Sequence, residues 1–324
     1  MCTAVSYNNG NHYFGRNLDV EMSYGEEIVI TPRNYLLKLK NGDSISGKYA
    51  IIGVAKVVDN FPLYFDGTNE KGLGIAALNF PKNAFYNKVE KGKKNITPFE
   101  FIPYILAKCQ NISEVKNELE NVNMTSVAFS DDLPLTPLHW MISDRTSSMT
   151  VEQVKEGLKV YDNPVGVLTN NPPFDMQMTN LNNYVNLSAS PPKNNFSGDI
   201  EFDIYSYGMG AIGLPGDLSS PSRFVKAVFT KYNSVVNKEE ALGQFFHILS
   251  SVCQQKGCTH LGEGRYEYTS YSTCYDTEKG LMYYTTYENS RISVIDMHRE
   301  NLEEGKIKRF PLLRQQSIFK QNIS

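Results

Sequence analysis

Apolar and polar positions change their period along this chain, and the changes divide it into sheet-forming and helix-forming stretches. At the start, Cys2–Tyr7 and His12–Arg16 flank Asn8-Asn9-Gly10-Asn11, whose Asn-Gly pair suits the positive φ angles of a tight hairpin turn. Cys2 is therefore predicted to begin a strand. Further strands are predicted at Glu27–Pro32, at the alternating Tyr35–Lys40 before Asn41-Gly42-Asp43, and at Leu73–Phe80 after the Asn69-Glu70-Lys71-Gly72 turn. The first ninety residues thus read as mostly β. The period lengthens at Thr97-Pro98-Phe99-Glu100, where Thr97 can cap, Pro98 occupies the first helical position and Glu100 completes a capping box. Phe99, Ile102, Leu106 and Cys109 then make one apolar face, and a second helix is predicted over Ser113–Asn121 with Val115 and Leu119 inward. Strands resume at Met124–Phe129, Leu138–Ser143 and Met149–Gln153, helices at Ser222–Tyr232 and Glu239–Cys253, and strands again at Arg265–Cys274 and Leu281–Tyr287. Ser188–Gly198, with Pro191-Pro192 and Asn194-Asn195, reads as a long exposed excursion.

Many hairpins and few strand-helix-strand crossovers imply an α+β layered fold with antiparallel sheets and helices on their outer faces. With 324 residues, 41% of them hydrophobic and 21% charged, the chain can bury a large core, and a single domain over 1–324 is expected. A net charge of −3 without any Lys/Arg block weighs against nucleic acid as a partner. The N-terminus has no basic and apolar leader pattern, and the longest apolar stretch, Ala50–Val58, is short and broken by Gly53 and Lys56. A cytoplasmic location without membrane attachment is the expectation. Cys2, Cys109, Cys253, Cys258 and Cys274 are too sparse for a disulfide framework. Cys253, Cys258 and His260 lack the spacing and second ligand pair of a zinc site, so no metal is expected.

A cysteine in a strand is ordinarily a small core residue. Removal of Met1, expected because the second side chain is small, would leave Cys2 carrying both a thiol and an α-amino group of pKa roughly 7.7 to 8.0. Nucleophile and base then reside in one residue. On the returning strand of the hairpin, Arg16 could favour the thiolate and Asp19 could hold the amine, although Arg-x-x-Asp alone is more often a surface pair. His139, beside Trp140, is the rival candidate for a Cys-His arrangement.

Several motifs, in order along nearly the whole chain, resemble the choloylglycine hydrolase family. They are Met-Cys-Thr-Ala at the start, Phe-Gly-Arg-Asn-Leu-Asp ending at Asp19, Asn-Glu-Lys-Gly-Leu-Gly from Asn69, Leu-Asn-Phe around Asn79 and Leu-His-Trp around His139. Gly-Val-Leu-Thr-Asn-Asn-Pro around Asn170 and Gly-Leu-Pro-Gly-Asp with Ser-Arg-Phe around Arg223 complete the set. The resemblance implies a four-layer αββα N-terminal-nucleophile hydrolase, often a homotetramer, that cleaves a linear amide without metal or organic cofactor. It implies Cys2 as nucleophile and base, Arg16 and Asp19 as its tuning and orienting groups, Asn79 and Asn170 as oxyanion donors, and Arg223 as electrostatic support. By family position Leu18, Tyr24, Val58, Phe129, Leu133 and Leu138 would line an apolar acyl pocket, though each could equally be core. Related penicillin V acylases tend to carry Tyr where this chain has Asn79, which favours conjugated bile salts as substrate, with penicillin V or another linear amide as the alternative. A catalytically silent sterol-binding protein would need a damaged site, and none of the six catalytic positions is replaced.

Overall fold

The computed structural model describes residues 1–322. Two large antiparallel sheets are stacked face to face. The first runs, in spatial order, Val167–Leu168, β1 (Cys2–Asn9), β2 (Asn11–Val20), Arg265–Asp276, Leu281–Thr286 and Ser293–Asp296, with Thr259–Gly262 pairing off the long Arg265–Asp276 strand. The second runs Gly157–Asp162, Ser148–Val154, Leu138–Ser143, Gly74–Asn79, Phe61–Asn69, Ile51–Val58, Glu27–Thr31 and Lys308–Phe310. Helices α1 (Phe101–Lys108) and α2 (Ile112–Leu119) cover the outer face of the second sheet. Helices α3 (Phe174–Leu181), α4 (Ser220–Asn233) and α5 (Ala241–Ser250) cover the first. The result is the four-layer αββα sandwich expected from the sequence.

Period-two alternation builds the layers. Ile28, Ile30, Ile52, Val54, Ala76, Leu78 and Met141 point into the core between the sheets, whereas their neighbours Val29, Ile51, Ala55, Ile75, Trp140 and Ile142 pack under α1. A second device is close approach. A Cβ on Gly15 would lie 2.0 Å from the Thr273 carbonyl oxygen, so only glycine lets β2 and Arg265–Asp276 meet at this point, next to Arg16.

Most predicted elements are present with shifted ends, and some readings are corrected. The strand expected over Met124–Phe129 is instead Val122–Met124, paired in parallel with Lys94–Ile96. Thr125 ends it by giving its N–H and hydroxyl to the Ile96 carbonyl, and Phe129 turns in against Phe61 and Phe99. The capping box is half made: Glu100 accepts the Thr97 N–H at 2.9 Å, but the helix starts only at Phe101. Tyr35–Lys40 supplies a short ribbon, Leu36–Lys38 against Ser44–Ser46. No helix among the described residues is long and apolar enough to cross a membrane.

Candidate active site

β1 and β2 pair with Cys2 opposite Leu18 and Ala4 opposite Arg16. Side chains that pair across strands, or lie two apart along one, share a face. Cys2, Leu18 and Arg16 therefore point together toward the second sheet, where Arg16 Nη1 donates to the Phe65 and Ala77 carbonyls. Asp19, one residue out of phase, points to the helical side with Thr3 and Asn17, whose amide donates to the Leu249 carbonyl of α5 at 2.9 Å. The two charges thus flank Cys2 from opposite faces of one sheet.

A β-bulge fixes the Asp19 side. Thr269 pairs with Asp19 and Tyr271 with Leu18, so Ser270 is the extra residue, and such a bulge re-aims the neighbouring side chains. The Thr269 hydroxyl donates to Asp19 Oδ1 at 2.6 Å, and Gln254 Nε2 lies 3.4 Å from Oδ2. Arg223 reaches in from the first turn of α4, with only 1% of its surface exposed. Its Nη1 donates to the Cys2 carbonyl and to Thr3 Oγ1, both at 2.6 Å, its Nε to the Leu218 carbonyl at 3.0 Å, and Nη1 stands 3.7 Å from Asp19 Oδ2. Burial lowers the Arg223 pKa, opposed by Asp19 and Cys2. Around Arg16 burial also works against charge, but Cys2, Tyr271, Asp66 and Asp19 outweigh it and raise the guanidinium pKa. Asp66 lies beneath, taking hydroxyl bonds from Tyr271, Thr273 and Tyr275 at 2.6, 2.9 and 2.7 Å.

Asn170 closes the cluster from the segment after Val167–Leu168. Its Oδ1 accepts the Cys2 N–H at 2.8 Å and Arg223 Nη2 at 2.9 Å, while its Nδ2 donates to the Asn79 carbonyl at 2.7 Å. Both partners of Oδ1 are donors only, which fixes the orientation of the amide. One N–H of Nδ2 has no partner among the described residues. Asn79, at the end of Gly74–Asn79 and opposite Leu138, has no side-chain hydrogen bond among the described residues. Arg16 Nη2 is likewise buried without a partner among them.

Met1 extends the ladder by one residue. Its amine donates to the Asp19 carbonyl at 2.8 Å and pairs with Glu267, and its carbonyl accepts the Asp19 N–H at 3.0 Å. The six residues named from the sequence as catalytic are therefore gathered in one place. The six pocket residues are more dispersed. Leu18 lies beside Cys2 and Leu138 beside Asn79, while Tyr24, 46% exposed, stacks on Phe65 at 5.9 Å. Val58, Phe129, Leu133 and Leu138 pack on the cluster beneath the second sheet, with the Lys40 ammonium 4.4 Å over the Phe129 ring. Thr269, Gln254 and Phe65 carry no sequence motif, because they reach the site only through the bulge and the stacking of the sheets, whereas Thr3, next to Cys2 in β1, joins it by accepting Arg223 Nη1.

His139, the rival base, has its Nε2 committed to the Thr169 carbonyl at 2.9 Å and its Nδ1 to Glu152 at 3.0 Å. A cavity of about 490 Å³ lies elsewhere, toward the turn end of β1, lined by Ser6, Asn8, Asp144, Asn163 and Lys231 among others and by none of the site residues. Among the described residues no group of three or more His, Cys, Asp or Glu could hold a metal ion.

Two stacked antiparallel sheets between helical layers, with Cys2 opening β1 beside Arg16, Asp19, Asn170 and Arg223, give the fold of the N-terminal-nucleophile hydrolase class. The chain belongs to the choloylglycine hydrolase family of linear amide C–N hydrolases, whose family model matches residues 2–310. It is 52% identical over 314 residues to a bile salt hydrolase/transferase of Lactiplantibacillus plantarum, covering 96% of this chain and 97% of that one. It is 41% identical over 317 residues to a bile salt hydrolase/transferase of Clostridium perfringens, covering 96% of each. A crystal structure of a mutant conjugated bile acid hydrolase from Clostridium perfringens superposes with a TM-score of 0.94 at 41% identity, covering 99% of this chain and 100% of that one. A penicillin V acylase from Agrobacterium tumefaciens shares the fold, with a TM-score of 0.74 at 22% identity over 95% of this chain and 90% of its own.

Proposed function

We propose that this chain hydrolyses the amide joining glycine or taurine to a bile acid, with Cys2 as nucleophile once Met1 is removed. The observation that carries the mechanism is the Cys2 nitrogen held 2.8 Å from Asn170 Oδ1 inside a cage of Asp19, Arg223 and Asn170. In a peptide bond that nitrogen has no basic lone pair. As a free amine in the same place it can take the thiol proton, with the Arg16 charge favouring the thiolate. Attack on the substrate carbonyl gives a tetrahedral oxyanion, and the free Asn79 amide and the second N–H of Asn170 are the neutral donors for it, one such donor being worth ~3 kcal/mol. The amine then passes its proton to the leaving glycine or taurine nitrogen, and water releases the bile acid from the Cys2 thioester. Leu18, Tyr24, Val58, Phe129, Leu133 and Leu138 are proposed to hold the steroid.

The reading treats residues 1–324 as one catalytic domain, working in the cytoplasm as a homotetramer. What supports self-assembly is the irregular stretch after α3, where Phe196, Tyr205 and Tyr207 are exposed far beyond what a solvated loop requires. Purified enzyme is expected to release glycine or taurine from glycocholate and taurocholate with a higher kcat/KM than it releases phenoxyacetate from penicillin V. A higher kcat/KM for penicillin V would overturn the substrate and leave the mechanism standing. Intact mass of the active enzyme should correspond to a chain starting at Cys2, and full activity with Met1 retained would overturn the amine's role.

A further inference from the structure

His139 and Glu152 face each other in the register of Leu138–Ser143 against Ser148–Val154, and neither side chain has any exposed surface. The imidazole stacks on Phe80, ring centroids 4.3 Å apart and planes 6° from parallel. Thr169 offers Nε2 a carbonyl, which only accepts, so Nε2 carries a hydrogen. Glu152 Oε1 takes Nδ1 on one side and the Phe174 N–H, at 3.1 Å, on the other. Thr169 immediately precedes Asn170, and Phe174 opens α3. The pair therefore grips both ends of the short segment that carries Asn170. The opposite side of the same segment is held by Ser220 Oγ, which accepts the Asn170 N–H at 2.8 Å, and by Gln177 Nε2, which donates to the Asn170 carbonyl at 3.0 Å.

Burying an ionisable pair costs solvation, and apolar residues of the same volume would pack as well or better. Here the pair supplies something apolar residues cannot, a directional hold on the Thr169 carbonyl. We infer that His139 and Glu152 are positioning residues that set where the Asn170 amide stands relative to Cys2, an inference that rests on the roles proposed for those two residues. A displaced oxyanion donor weakens the transition state more than substrate binding, so the loss falls on kcat.

The test uses the mature full chain, with alkylation of Cys2 by iodoacetamide as a readout independent of the oxyanion. His139→Asn places an amide near Nδ1 only, whereas the side-chain amide of His139→Gln extends to about where Nε2 sits. His139→Asn should lower kcat about 10- to 100-fold with KM and the alkylation rate within about twofold, and His139→Gln should restore most of kcat. In an Asn170→Ala background His139→Asn should lower kcat no further, because both changes act through the same donor. Multiplying losses in that background, or equal losses in the Asn and Gln variants with KM rising, would overturn the inference. Should His139→Asn fail to fold, Glu152→Gln carries the same cycle with the same two outcomes. An active Cys2→Ala enzyme would instead remove the reading on which the inference stands.

Discussion

The β1–β2 hairpin buries polar side chains at both ends, and the two clusters are built on opposite principles. At the turn end His12 Nδ1 meets Thr277 Oγ1 at 2.8 Å, its Nε2 lies 3.0 Å from Ser6 Oγ and 3.1 Å from Ser143 Oγ, and Ser143 continues to Ser6 and Ser148 at 2.8 Å each. Every member there is answered by another, as buried polar groups ordinarily are. At the Cys2 end Arg16 Nη2, the Asn79 amide and one N–H of Asn170 have no partner among the described residues. A closed network holds two sheets in register. An open one stores donors for charge that appears only during a reaction.

The sharpest way to break the comparison is Cys2→Ala, expected to abolish turnover while leaving the fold and thermal midpoint nearly unchanged, as steady-state assays and calorimetry would show. Full activity in that variant would falsify the nucleophile. Next in size, Asn170→Ala should lower kcat by about 10²–10³ with substrate affinity largely kept, read from single-turnover and binding measurements. A matching rise in KM with kcat unchanged would make Asn170 a ground-state contact only. At the other end the expectation reverses: His12→Ala should cost about 2–4 kcal/mol in denaturant unfolding, from the lost network and the space left behind, with kcat per folded molecule unchanged.

The smallest effect is one of pH. Burial holds the His12 pKa down to about 4, from 6.5, against the pull of Asp144. The unfolded chain therefore binds the extra proton first, so His12 weakens the fold as pH falls from 6.5 toward 4, by at most about 3 kcal/mol. His12→Gln should show a correspondingly shallower loss of stability across that window. Parallel curves for the two proteins would mean that His12 is not buried in its neutral form.

The same contrast explains what could be seen in the sequence. The Cys2 end was legible because Asn9-Gly10 announces a hairpin, and a hairpin brings Arg16 and Asp19 back beside Cys2. That Asp19 faces away from the thiol needed the register, which a turn motif does not fix to the residue. Ile51–Val58 drew notice only as an apolar run. It is buried on both faces over its first five residues, so it lacks the alternation that marks a strand. Helix α3 comes directly after Pro172-Pro173 and buries only Phe174 and Gln177, too few positions to show a helical period. The Met124–Phe129 reading failed because the stretch does not stay in a sheet: Ser126, Val127 and Ala128 are exposed, and only Phe129 turns in against other aromatic rings. Glu152 carries no motif, and its link to Asn170 passes through a cross-strand pair, a backbone carbonyl and a helix start.

The extra ladder step made by Met1 has a consequence for the order of events during synthesis. The ribosome delivers roughly 5–20 residues per second, so Asp19 emerges about one to four seconds after Met1, while a hairpin closes within ~1–10 μs once both strands are free. An isolated hairpin is only marginally stable, so the Asp19 carbonyl and amide clasp Met1 lastingly only when Arg265–Asp276 has paired with β2, which leaves trimming of the initiator about 14 to 55 seconds of synthesis. Glu267, on that same strand, then tightens the grip on any methionine still present. Rapid overproduction should accordingly yield a folded fraction that keeps its initiator, resists later trimming and stays inactive, separable by intact mass from the working enzyme.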